Sequence, residues 1–177
     1  MGHHITALIG TRQALDALNE RFGPPEPTAL AGHLFILPLD ERRLDLLSGS
    51  WNRAGEGFTY LGSATERGIL AGIGTAEVLY LETNYFGGAG SQSAALFANG
   101  QVIWRESETF LAAVSSRKSW FRRATTPTQK PQNYPINKGL AALGVSRSSG
   151  SDEFNSVDLG RFRSLEGLGL NRWDDDD

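Results

Sequence analysis

The pair Asn99-Gly100, set between apolar runs at residues 91–97 and 102–104, commits this part of the chain to a β-hairpin. A two-residue type I′ turn needs positive φ at both central positions, which asparagine tolerates and glycine adopts without steric cost. With Ala98 opposite Gln101, the expected pairs are Phe97 with Val102, Leu96 with Ile103 and Ala95 with Trp104. Side chains alternate across a strand, so one face carries Ala95, Phe97, Val102 and Trp104 and the other Ala94, Leu96 and Ile103. Both faces are apolar. Such a hairpin is either sandwiched between two layers or keeps one face for a partner.

The flanking sequence supplies strands and helices to build on it. Residues 4–9 read as a short strand, after which Thr11 caps a helix with Leu15, Leu18 and Phe22 on one stripe. Gly23-Pro24-Pro25 ends that helix, and residues 33–37 are apolar enough for a strand buried on both sides. Asp40 caps a second helix, with Leu39 packing on Leu44. Ser63 and Glu66 have the spacing of a capping box, and residues 77–86 are rich in β-formers. A helix is expected over 108–123, then an exposed loop over 125–134. Pro135 opens a further helix that Gly144 stops, and Ser151 or Asp152 caps the last. The pattern predicts an α+β fold: an antiparallel sheet with a central hairpin at residues 91–104, packed by several short helices. Residues 1–170 are expected to form a single domain and 171–177 an acidic C-terminal tail.

Composition narrows the classes of function. The chain has no cysteine, which excludes disulfides, thiolate-held metals and thiol nucleophiles and predicts a reducing, cytoplasmic home. No apolar run approaches the roughly 18 residues that span a bilayer, and Met1-Gly2-His3-His4-Ile5 lacks the pattern of a secretory leader. The formal net charge of -3 hides a division. Residues 109–151 carry 7 basic side chains and no acidic one, between blocks 1–108 and 152–177 that are each acidic. Either these blocks neutralise one another or the basic stretch faces something outside.

Few residues offer chemistry. The glycines at 87, 88 and 90 lack the following Lys-Ser or Lys-Thr and the helix that a phosphate loop needs, and read as a turn between strands. His3 and His4 are adjacent on a strand and point to opposite faces, and no His-x-x-x-His pair exists, so no metal site and no cofactor are expected. No nucleophile elbow appears, and no catalytic residue is assigned. Glu82 beside Tyr85 and Gln92 can line a cleft near the glycine turn, the basis for a small hydrolase or nucleotide-processing enzyme. Trp51, in a glycine-rich loop, is a candidate contact residue. Arg117, Lys118, Trp120, Arg122 and Arg123 interleave cations with an aromatic, as a nucleic-acid accessory protein would, although a pI near 5.6 argues against that partner.

Three segments carry a resemblance. Residues 82–94 (ETNYFGGAGSQSA), 135–145 (PINKGLAALGV) and Asp152-Glu153-Phe154 resemble bacterial immunity-type proteins, which neutralise a toxin by covering it. The resemblance implies a non-enzymatic protein whose partner is a toxin or effector, with a second copy of the chain as another possible occupant of an apolar hairpin face. It assigns no individual residue.

Overall fold

A computed structural model describes residues 2–49, 53–86, 89–110 and 134–170. The chain runs β1 (His3–Thr11), α1 (Arg12–Phe22), β2 (Thr28–Ala29), β3 (Leu34–Pro38), α2 (Glu41–Ser48), α3 (Ser63–Ile73), β4 (Val78–Phe86), β5 (Ala89–Ala98), β6 (Gln101–Phe110), α4 (Pro135–Ala142) and α5 (Glu153–Ser156). Two 3₁₀ turns, Leu159–Arg161 and Glu166–Leu168, follow. The strands form one antiparallel sheet in the order β2-β3-β1-β4-β5-β6. The α+β architecture is therefore as the pattern predicts, but β1 and β4 take the middle of the sheet. The Asn99-Gly100 hairpin forms one side, with β6 outermost.

Local chemistry starts and stops the helices. The Thr11 hydroxyl accepts from the Ala14 amide at 3.2 Å, and the Asp40 carboxylate from the Arg43 amide at 2.8 Å. Asp152 does the same for Asn155 at 2.9 Å. At α3 the expected capping box gives way: Gly62 is the N-cap, Ser63 is already helical, and Glu66 pairs instead with Arg105 on β6 at 3.1 Å. A nearby guanidinium outcompetes a frayed amide for that carboxylate.

Both faces of the sheet are covered by the chain itself. Leu8, Val78, Tyr80, Ala95 and Phe97 pack with Leu15, Leu18 and Phe22 of α1, Leu44 and Leu47 of α2, and Ile69 and Ile73 of α3. On the reverse face Ile5, Ile9, Leu79, Leu81 and Leu96 pack with Ile136 and Leu140 of α4 and with Val157, Leu159, Phe162 and Leu168 of the C-terminal segment. This answers the question the hairpin poses: it is sandwiched. Arg43 is buried within the first layer, its guanidinium donating to the carbonyls of Pro38 at 2.8 Å, Gly23 at 2.7 Å and Pro25 at 3.1 Å. Burial lowers its pKa, and the three carbonyls hold α2 against the loop that leaves α1.

The hairpin departs from the simple register. Asn99 and Gly100 have φ of 53° and 74°, as a type I′ turn requires, and Phe97 pairs with Val102. Beyond that pair the register shifts, so that Leu96 faces Trp104 and Ala95 faces Arg105. Ile103 is the extra residue of a β-bulge and stands 45% exposed. The expected pairs Leu96 with Ile103 and Ala95 with Trp104 are thus corrected. The bulge turns Trp104 onto the α4 face, where Lys138 lies 4.5 Å from its ring centre. The strand continues to Phe110, so residues 108–110 are extended where a helix is expected; the remainder of that expected helix, the loop that follows it and the acidic tail lie outside the described residues.

Candidate functional site

Because β1, β4, β5 and β6 are in continuous register, their side chains form rows across the sheet. On the α1–α3 face the rows run Gly10-Val78-Phe97-Val102, then Leu8-Tyr80-Ala95-Arg105, Thr6-Glu82-Ser93-Ser107 and His4-Asn84-Ser91-Thr109, with Phe86 and Ala89 paired beyond them. On the α4 face they run Ile9-Leu79-Leu96-Trp104, Ala7-Leu81-Ala94-Glu106, Ile5-Thr83-Gln92-Glu108 and His3-Tyr85-Gly90-Phe110. Apolar rows lie under the helices. Polar and aromatic rows gather at the other end, where β4 gives way to β5.

Glu82 marks the boundary on the first face. Its carboxylate is buried and accepts from the backbone amides of Thr59 at 2.6 Å, Tyr60 at 2.9 Å and Leu61 at 3.1 Å, and from the Tyr80 hydroxyl at 2.7 Å. Burial first, and then the Glu82 charge and hydrogen bond, push the Tyr80 hydroxyl well above its usual pKa, so it stays a donor. In the same row the Ser93 hydroxyl donates to the Gly57 carbonyl at 2.5 Å. Residues 57–61 therefore form a strap laid along this row, and Glu82 is the post that holds it.

Tyr85 and Gln92 lie on the reverse face. The Gln92 side-chain oxygen accepts from the Ile136 amide at 3.2 Å, which satisfies an otherwise orphaned donor in the first turn of α4. Tyr85 stacks on Phe110 at 5.9 Å between ring centres, and Tyr134 meets Phe110 edge-on at 5.0 Å. Gly90 sits between Tyr85 and Phe110 in the row, and a Cβ there would lie 2.1 Å from the Asn84 carbonyl oxygen, so the two rings close over a bare backbone. Burial, reinforced by Tyr134 and Glu108, raises the Tyr85 pKa. The cleft in which Glu82, Tyr85 and Gln92 were expected together does not form, because residues an odd number apart on one strand project to opposite faces.

Two residues that carry weight here were outside the expected site. His3 is buried against Tyr85 and Phe154, with its Nδ1 2.8 Å from the Thr83 hydroxyl. Its pKa is lowered, chiefly by burial, with Arg163 and His4 adding to the effect. Asn137 is buried on α4, its oxygen accepting from the Phe154 amide at 3.0 Å and its nitrogen donating to Asp152 at 3.3 Å. It ties α4 to the start of α5, and no spacing in the sequence signals that. Trp51, Arg117, Lys118, Trp120, Arg122 and Arg123 lie outside the described residues.

Among the described residues no cluster of three or more histidines and carboxylates is placed to hold a metal ion, and no helix is long and apolar enough to cross a membrane. No family model, curated protein or solved structure matches the chain.

Proposed function

We propose that this chain is a non-enzymatic binding protein of the bacterial immunity type, which neutralises a toxin or effector by covering it. The observation that supports this most is the fate of Glu82: the carboxylate best placed for acid-base chemistry is spent on three backbone amides and a tyrosine hydroxyl. A carboxylate so saturated organises a loop and has no lone pair directed at a substrate. Gln92 is likewise engaged with α4. The acidic blocks at 1–108 and 152–177 suit a basic partner, steering its approach. The three segments that carry the immunity-type resemblance adjoin one another: Gln92 holds Ile136, and Asn137 holds Asp152 and Phe154. The experiment is co-expression with the product of the adjacent gene, reading co-purification and rescue of growth. Failure of both removes the proposal.

A further inference from the structure

On the α1–α3 face the sheet is covered unevenly. Helices lie over the rows of Val78 and Tyr80, and the strap lies over the row of Glu82. The next row, His4-Asn84-Ser91-Thr109, has three exposed members and a half-buried serine. Beside it Phe86 is 79% exposed, far more than Ile103 at 45% or Tyr60 at 38%, the other exposed large hydrophobic residues among those described. A phenylalanine costs stability to the folded state in no obvious way when exposed, but it contributes nothing to this fold either. It is available to something else.

We propose that this open row with Phe86 is the docking surface for the protein partner, and that the partner meets it with uncharged hydrogen-bonding groups around a pocket for the Phe86 ring. The inference rests on the binding reading above and names the surface used. Charge decides the occupant. The chain carries 17 lysines and arginines and 20 carboxylates, yet none of the four residues in this row, nor Phe86 or Ala89, is one of them. Charge depletion with an aromatic at its middle is the composition of a protein interface core. A nucleic-acid backbone requires cations that the row lacks. A membrane surface requires a basic or broadly apolar face. A partner charge pressed onto this row would be stripped of water without a counter-ion, so the matching groups are neutral. With strands about 4.8 Å apart, the row spans about 14 Å, the scale of an energetic centre rather than of a whole interface.

The test measures binding of the full chain to the adjacent gene product by calorimetry, with unfolding midpoints recorded for each variant. Phe86→Ser and Asn84→Arg are each expected to weaken binding at least about tenfold without lowering the midpoint, and Ile103→Ser, on the bulge of β6, to change it less than about twofold. If Asn84→Arg lowers the midpoint, Thr109→Arg on the outer strand carries the same charge into the row. Binding that survives Phe86→Ser and the arginine variant overturns this surface and leaves the binding reading standing. A wild-type chain that does not bind the product overturns both. A concentration-dependent dimer abolished by Phe86→Ser assigns the face to a second copy and overturns the partner proposed here.

Discussion

The two ends of β4 and β5 are built from the same strands and face opposite demands. At one end Val78, Tyr80, Ala95 and Phe97 are buried under α1–α3 and Leu79, Leu81, Ala94 and Leu96 under α4 and the C-terminal segment. At the other end Asn84 and Phe86 project from one face with no helix above them, and Tyr85 joins an aromatic cluster on the reverse. Hydrogen bonding along the ladder is the same at both ends, so the difference lies in side-chain burial. The covered end stabilises the fold, and the open end is left to present a surface. Glu82 stands where one becomes the other.

That contrast can be broken most forcefully at the covered end. Phe97→Ala should lose about 3–5 kcal/mol, since it removes a fully buried ring from between layers that cannot collapse onto the gap. Chemical denaturation reads this directly, and a loss below about 1 kcal/mol would show that the layers are not closely packed. At the boundary, Glu82→Gln should cost about 2–3 kcal/mol, because the new amide group turns a donor toward the donors of residues 59–61. Hydrogen exchange at those three amides should accelerate while the amides of α1 stay protected. Unchanged exchange at 59–61 would mean that the strap does not depend on its post.

The aromatic side of the open end gives a pH signature. His3 has a folded-state pKa beneath its ordinary 6.5, so as the pH falls through 6.5 the unfolded chain takes up a proton before the folded one does. Stability therefore declines below about pH 6.5 and stops declining once the pH is under the folded-state value. Denaturant midpoints at pH 7.5 and 5.5 should differ more for the wild type than for His3→Gln; equal differences would locate the pH dependence elsewhere. The smallest effect belongs to Phe86, whose replacement by serine should leave stability within about 0.5 kcal/mol. A larger loss would make Phe86 part of the core after all and dissolve the contrast between the ends.

Much of the local structure is legible in the residues. Thr11, Asp40 and Asp152 cap helices as their types require, Asn99-Gly100 turns as expected, and residues 77–86 form a strand, because each depends on chemistry within a few positions. The site was less legible. Glu82 and Gln92 were picked out correctly as unusual, but their partners are amides 21 to 44 residues away, and sequence proximity to the glycine turn suggested a shared cleft. Gly68 similarly reads as a weak point in α3, yet a Cβ there would lie 2.0 Å from the Leu47 carbonyl oxygen, so the glycine lets α2 and α3 touch. No local rule contains that contact.

The sequence by itself determined that a hairpin turns at Asn99-Gly100 and that both of its faces are apolar, since turn geometry and alternation act over two residues at a time. Only the tertiary structure decided what those faces meet. Packing inserted Ile103 as a bulge, moved Trp104 to the α4 face beside Lys138, and left the His4-Asn84-Ser91-Thr109 row without a helix. A one-residue shift in pairing exchanges the faces of every residue after it, so the identity of each surface depends on contacts between elements far apart in the chain.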